Sequence, residues 1–442
     1  MLLRPHTTKT TIYVAMKIVG AGIGFVNAIL LARILGAREF GLLSLVLAAA
    51  NLGGTFGALG LPYFITKEVS ILRDAGRFDC LAVLVRNAQW LTFLGAMSYL
   101  IIVFGAKSVV SVDTTTFGAL PAILLVLGAV FVPVATGNQV RAGVIRGMDR
   151  AIAADFPDVI TRPAVVLIAV AILLATRIQV RAAGGMLIQL TGAVVAFLVG
   201  GRLLRGFLRR PITGVNYRDA DRVGSDVRML AILKEAPHFL VITFLSTMDV
   251  QVSIYLLGFF LGPAQVGIFQ VAAQPLNIIL MGLVAAGVSM QARLAAAWAA
   301  RNKARTQEIL SEATRFSTLV ALGVGLPLLA FAGFIVRLYG PEYEPAVVLL
   351  RILTIGQMIQ GITGPIGVVM LMTGNQRKLM YFDLPFLAFK VVVISAGIHF
   401  FGLVGAAVGE VAYLAVMRFG GVVFVYRQTG LVTTMWGMRH ES

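Results

Sequence analysis

The chain has 442 residues, 58% of them hydrophobic and only 13% charged, with a mean hydropathy of +0.90 and a formal net charge of +17. A soluble domain carries about a quarter charged residues, so this composition excludes a soluble globular protein, and no polar segment is long enough to build a large soluble domain. The lone Cys80 allows no intramolecular disulfide, and with four separated His it cannot assemble a metal cluster, so neither a metal nor another cofactor is expected.

Apolar runs of about 20 residues recur along the whole length, each long enough to cross a bilayer as a helix. They lack the polar–apolar alternation of membrane-barrel strands. The predicted fold is therefore all-α and polytopic. In chain order the first six spans lie near Ile12–Leu31, Phe40–Leu61, Ala88–Ala106, Phe117–Gly137, Pro163–Ala175 and Ala182–Gly201. The fifth is short and begins earlier, near Asp158. After the basic, loop-like stretch Arg202–Ala236, six more lie near Pro237–Phe260, Val266–Met290, Phe316–Val336, Ala346–Met372, Tyr381–Phe401 and Gly402–Tyr426. The first run continues through Gly20, Gly22 and Gly24 without a small-residue cleavage site, so no signal peptide is expected.

The two sets repeat. Leu35-Gly36, Gly41, Asn51, Lys67 and Arg77 recur as Leu261-Gly262, Gly267, Asn277, Arg293 and Lys303, every pair 226 residues apart. Arg146-Gly147 and Arg150 meet Thr373-Gly374 and Arg377 at nearly that offset. Residues 1–205 and 236–442 are thus expected to be two six-helix lobes joined by a cytoplasmic linker, 206–235. An even number of spans gives both lobes the same orientation, as in parallel-repeat transporters.

Charge tests this map independently. One side, with both termini and the loops near 62–87, 138–162, 201–236, 291–315 and 373–380, carries 27 Lys and Arg; the other side carries six. The basic side is cytoplasmic, with both termini there. The net charge then reflects topology and contact with anionic inner-leaflet lipid, and nucleic acid is not an expected partner. Arg293–Arg305 and its repeat mate Lys67–Arg86 mix apolar and basic residues and read either as interfacial helices or as ordinary connectors.

Enzyme signatures are weak. No G-x-x-x-x-G-K-[ST] or H-E-x-x-H occurs. Asp219 and Asp221 resemble the D-x-D that holds a cation on a sugar nucleotide, but they sit in a loop too short for a catalytic domain. Glycine pairs such as Gly20/Gly24 and Gly405/Gly409 point to close helix packing. Pro275, Pro327 and Pro365 should kink their spans.

Ionisable residues inside spans are the site candidates, because a charge in hydrocarbon is costly. Asp249 lies about 18 Å into the seventh span by helical rise, near the midplane, where only a polar cavity can hydrate it. Lys17, nearer the cytoplasmic end of the first span, either lines the same cavity or snorkels to the headgroups. Asn51 and Asn277 are repeat mates and read as cavity lining or as inter-helix hydrogen bonds; Gln251 adds polarity to the seventh span. Lys390 and Glu410, at similar depth on one hairpin, are expected to form a structural ion pair.

The segment Arg33-Ile-Leu-Gly36-Ala-Arg-Glu-Phe40-Gly41-Leu-Leu-Ser, followed by Gly57-Ala-Leu-Gly60-Leu61, resembles the opening of the polysaccharide transporter family. These are lipid-linked oligosaccharide flippases of the O-antigen type, more distantly related to multidrug and toxin extrusion antiporters. The Arg146-Gly147-Met-Asp149-Arg150 loop and Phe401-Gly402-Leu-Val-Gly405 fit the same pattern. The resemblance implies two lobes around a central cavity that opens alternately to each side, cationic groups in that cavity, and a substrate with a lipid tail, a pyrophosphate and a sugar chain. It implies a bacterial inner-membrane flippase for undecaprenyl-pyrophosphate-linked oligosaccharide, with a polysaccharide polymerase complex as a further partner. The alternatives are a cation-coupled drug antiporter using Asp249 and, less favoured, a membrane-embedded glycosyltransferase using Asp219 and Asp221.

Overall fold

Two helices of 54 residues, α1 (Pro5–Ala58) near one end of the chain and the last near the other, set the architecture. At 1.5 Å per residue each would be about 81 Å long, more than twice the roughly 30 Å hydrocarbon core. Neither is one rod. Gly36 in α1 (φ 72°, ψ 170°) and Gly402 in the last helix (φ 59°, ψ −136°) leave helical geometry, so each element is two helices in series. Both conformations lie where a Cβ is not tolerated.

The structure, a computed structural model, describes residues 5–58, 61–74, 122–176, 182–208 and 229–434, with a few positions between them. The third predicted span lies almost wholly outside these residues, and Asp219 and Asp221 lie outside them too. The described elements are helical throughout. After α1 come α2 (Leu61–Asp74), α3 (Ala122–Gly147), α4 (Ala151–Phe156), a π-helical turn Pro157–Thr161, α5 (Arg162–Thr176) and α6 (Ala182–Leu208). Then follow α7 (Met229–Phe260), α8 (Pro263–Ala273), α9 (Leu276–Ala299), α10 (Lys303–Ala330), α11 (Ala332–Arg337), α12 (Ala346–Thr363), α13 (Ile366–Met372) and α14 (Gln376–Thr429). Among the described residues eight helices are long and apolar enough to cross a membrane, and the pair α8 and α9, bent by 50° at the break before Leu276, makes a ninth if it is one span. Large apolar side chains such as Ile168, Leu319 and Phe400 face outward, 61%, 70% and 73% exposed, as a lipid-facing surface requires. This is a multi-pass α-helical membrane protein.

By contacts the chain forms two units: Met1–Asn27 with Leu42–Gln251, and Ala28–Gly41 with Val252–Ser442. The core of the first is built by Phe64, Ile65, Val69, Val140, Val144 and Leu204, among others. That of the second includes Met290, Leu294, Ile366, Met370, Val425 and Leu431. Phe64 and Met290, Val140 and Ile366, and Val144 and Met370 are 226 residues apart. The 226-residue offset therefore also relates residues of the two cores. Gly36 and Gly262, also repeat mates, share one backbone conformation: Gly262 has φ 89° and ψ 174°.

Within the second unit, Gly41 packs on Pro263 and Gly267 packs on Ala37: a methyl at either glycine would overlap the other residue's carbonyl oxygen. The pairs are reciprocal, since 37 and 41 map onto 263 and 267. Beside them the Glu342 carboxylate accepts the Ala37 N–H at 3.0 Å, and the Tyr343 hydroxyl donates to the Ala32 carbonyl at 3.0 Å. Pro365 follows Gly364 (φ 73°) at the break between α12 and α13. There the segment after α14 docks, with the Thr314 hydroxyl donating to the Thr433 carbonyl at 2.9 Å and Gln307 donating to the Val432 carbonyl at 2.8 Å and accepting its N–H at 2.9 Å.

Two sequence expectations change. The fourth predicted span ends at Gly137, but α3 runs on to Gly147, and the chain re-enters a helix at Ala151 after one turn. The residues assigned to a basic loop, 138–162, are helical apart from that turn. Arg141 and Arg162 are within the spans, because Val140, Val144 and Ile145 keep the apolar face going past them. Likewise Arg293–Ala299 is the end of α9, not a separate helix; the chain turns at Arg301 (φ 55°), and Asn302 caps α10 by accepting the Arg305 N–H at 2.9 Å.

Candidate functional site

The densest polar cluster among the described residues lies in the first unit, on α1, α3 and the α4–α5 segment. Its geometry begins with a packing requirement. Gly20 meets Val159 of the π-helical turn, where any side chain on residue 20 would overlap the valine and its carbonyl. Pro163 has no N–H for that carbonyl, so the helix is already loosened there, and π-bulges of this kind recur at functional sites. The Asn27 amide spans the same gap, donating to the Pro163 carbonyl at 2.8 Å.

This close approach brings Lys17 onto Asp155. The carboxylate, whose side chain is only 8% exposed, takes the Lys17 ammonium at 2.7 Å and the Tyr13 hydroxyl at 2.6 Å on one oxygen, and Arg146 at 2.7 Å on the other. Asp155 thus has three donors on two helices besides its own. Lys17 and Arg146 are only partly covered, with side chains 34% and 40% exposed. Each has N–H groups beyond those that Asp155 uses.

One turn further, Asp158 meets Arg141 at 3.3 Å. Arg141 is 2% exposed; it donates to the Ala196 carbonyl at 2.7 Å, and Gly200 of α6 leaves the space its guanidinium fills. Arg162 lies over the Phe131 ring, 5.0 Å from its centroid, and donates to Gln189 at 3.2 Å. Four cations (Lys17, Arg141, Arg146 and Arg162) therefore surround two carboxylates, a formal charge of +2 inside the helical bundle. Such an arrangement attracts an anion: the aspartates fix the cations in place, and the partly covered Lys17 and Arg146 present donors. No group of three or more His, Cys, Asp or Glu suited to a metal occurs among the described residues.

Lys17, a candidate from sequence, is in this cluster, tied to Asp155. Asn51 and Asp249 are on α1 and α7, which meet where Thr55 and Thr247 share a hydrogen bond of 2.9 Å and Phe56 packs on Phe244 at 5.4 Å. Gln251 is buried one turn along α7. Asn277 is exposed on α9 in the second unit and donates to Gln274 at 3.3 Å. Lys390 and Glu410 make an ion pair of 2.9 Å, Ser253 donates to the other Glu410 oxygen at 2.6 Å, and the Lys390 ammonium lies over Tyr413 at 4.8 Å.

The arginines and aspartates of the cluster escape a reading that treats 138–162 as loop. A signal was present. Asp155, Asp158 and Arg162 are spaced three and four apart, the spacing of one helical face.

Residues 7–290 match the sequence profile of the family described as "Polysaccharide biosynthesis protein", and residues 237–395 match the MatE profile. The fold is that of solved multidrug resistance MATE family transporters of the MOP superfamily. An inward-facing one aligns with a TM-score of 0.73 at 16% identity, covering 95% of this chain and 98% of the other. An outward-facing one gives 0.67 at 15% identity, with 95% of each chain covered. A MOP superfamily transporter from Pyrococcus furiosus, described by a reverse polarity of its binding pocket, gives 0.65 at 15%, again with 95% of each covered. A search of curated proteins returns no sequence match. At 15–16% identity these likenesses show a shared fold, that of multi-pass helical membrane proteins. The first profile covers well over half of the chain, and the protein belongs to the polysaccharide biosynthesis protein family.

Proposed function

We propose that the protein is a flippase that moves polyprenyl-pyrophosphate-linked oligosaccharide across a bacterial inner membrane for surface polysaccharide assembly, by alternating access and without catalytic chemistry. The observation that carries this reading is the cluster of Lys17, Arg141, Arg146 and Arg162 around Asp155 and Asp158. A pyrophosphate needs cations held in a low-dielectric setting, where charge-assisted hydrogen bonds are strongest. Those cations must remain soluble in the bundle when the site is empty, and the two aspartates supply that. Asn51, Asp249 and Gln251 are assigned to the sugar path, and the Lys390–Glu410 pair to holding the hairpin of α14.

The test is the disposition of substrate in cells that lack the protein. Lipid-linked oligosaccharide should accumulate on the cytoplasmic leaflet, and Lys17→Gln with Arg146→Gln should fail to relieve it while wild type does. Accumulation on the outer leaflet would refute the assignment. The MatE match over 237–395 favours one second reading, a cation-coupled drug antiporter with Asp249 as the coupling carboxylate. Under that reading overexpression raises drug resistance and Asp249→Asn abolishes the gain; under the flippase reading resistance is unchanged.

A further inference from the structure

A groove of about 420 Å³ opens on the surface of the second unit where the first and last turns of α14 lie side by side. Its floor is aromatic. Phe382 stacks on Phe424 with centroids 4.6 Å apart and an interplanar angle of 17°, and Phe386 follows at 4.7 Å from Phe382. Gly420 leaves the space over which the tips of the Phe382 and Phe386 rings lie. Pro385, in the groove wall, has no N–H for the Tyr381 carbonyl. The mouth is cationic: Lys378 bridges the two helix ends, donating to Gln428 at 2.6 Å, with Arg377 and Arg427 as exposed neighbours. Asp383, the carboxylate on this stretch, is turned about 140° round the helix from Lys378.

We propose that this groove is a binding site for one anionic glycerophospholipid of the cytoplasmic leaflet. The phosphate would sit at Lys378, Arg377 and Arg427, and one acyl chain would lie along the aromatic floor. Three observations select this occupant. Charge complementarity requires a negative headgroup. The groove is apolar away from its mouth. Its floor from Lys378 to Phe386 is about 12 Å long by helical rise, close to one leaflet of a roughly 30 Å hydrocarbon core. That length accommodates the chain of a lipid resident in one leaflet. The inference does not depend on the transported substrate and would survive failure of the flippase assignment.

The experiment uses the full-length protein in nanodiscs of phosphatidylcholine doped with phosphatidylglycerol that carries a photoreactive acyl chain. Cross-links should map to peptides containing Phe382 or Phe424, and unlabelled phosphatidylglycerol should suppress them. Each of Lys378→Gln and Arg427→Gln should weaken labelling about fivefold, the effect of one basic residue near an anionic surface. Because these positions are exposed, the variants should keep the wild-type unfolding temperature. Phe386→Leu, which keeps the position apolar but removes the ring, should reduce labelling without abolishing it. Equal labelling by a phosphatidylcholine probe, labelling indifferent to both charge variants, or displacement by polyprenyl phosphate at lower concentration than by phosphatidylglycerol would each overturn the proposal; the last would give the groove to the substrate tail.

Discussion

Asp155 is the residue on which the cluster depends, and its removal should be felt in both stability and transport. A buried carboxylate with three donors cannot be deleted without leaving Lys17 and Arg146 uncompensated, at a cost that their partial exposure holds below the roughly 3–5 kcal/mol of breaking a fully buried pair. Asp155→Ala is therefore expected to lower the apparent unfolding temperature markedly, followed by fluorescence in detergent. Lys17→Gln and Arg146→Gln, at partly exposed positions, should cost far less stability yet reduce flipping of a fluorescent polyprenyl-linked sugar in vesicles by tenfold or more. If both variants transport normally, the cluster is structural. Gly200→Ala offers a remote check: its methyl would collide with the Arg141 guanidinium, so transport should fall although residue 200 carries no charge. A separate residue-scale expectation concerns pH. Burial, together with the nearby Glu342 charge, pushes the Tyr343 hydroxyl above its ordinary range. A raised folded pKa gives stability that is complete below the unfolded value and fades as pH rises past about 10. Tyr343→Phe should flatten that alkaline decline in a pH-dependent melting series.

At the scale of elements, the repeat mates Gly36 and Gly262 solve one geometric problem with different chemistry. Each ends a helix and starts the next at a positive φ. The first N–H of the new helix needs a partner. At Ala37 that partner is the Glu342 carboxylate; at position 263 the residue is proline, which has no N–H and suits the first helical position. The expectation is sharp. Glu342→Ala should cost about 1 kcal/mol, the worth of a good N-terminal anion or cap. In an Ala37→Pro background the same change should cost close to nothing. A thermal-shift double-mutant cycle measures this, and equal costs in both backgrounds would contradict it. The element scale also shows what the sequence conveyed and why some of it was hidden. Gly36, Gly262, Gly402 and Pro275 were readable because breaking a long apolar helix requires residue types that few other roles demand. The continuation of α3 to Gly147 was not, because Arg141 reads as a loop residue until its guanidinium is seen folded over Gly200 onto the Ala196 carbonyl. The same holds for Lys17. Its type was visible, but its partner is 138 residues away and became apparent only once Gly20 was seen against Val159.

For the whole molecule, the asymmetry of 27 basic residues against six predicts topology beyond the described residues. A reporter fused after Glu344 should be extracytoplasmic and one after Val215 cytoplasmic; an external signal at Val215 would invert the map. Moving Arg141 and Arg162 into spans reduces the basic side's excess by two and leaves its sign unchanged. Fold class was legible because it rests on sums over many residues in hydropathy windows, which tolerate local error. The cluster was legible only in part, since it rests on six charged side chains drawn from distant stretches of sequence.

The reciprocal contact of Gly41 with Pro263 and Gly267 with Ala37 has a historical consequence. Contacts in which i meets j and the equivalent of j meets the equivalent of i are the mark of a two-fold isologous interface. Here they join segments of one chain that lie at the 226-residue offset of the sequence repeat. If the sequence repeat reflects a duplication, its origin would be a half-length protein that assembled as a homodimer through this glycine seam, before gene fusion tied the two copies together and let their sequences diverge. Glu342 and Pro263 are then products of that divergence. A symmetric dimer would have had to use one solution twice, and only a single fused chain was free to cap one helix with a distant carboxylate and the other with a ring.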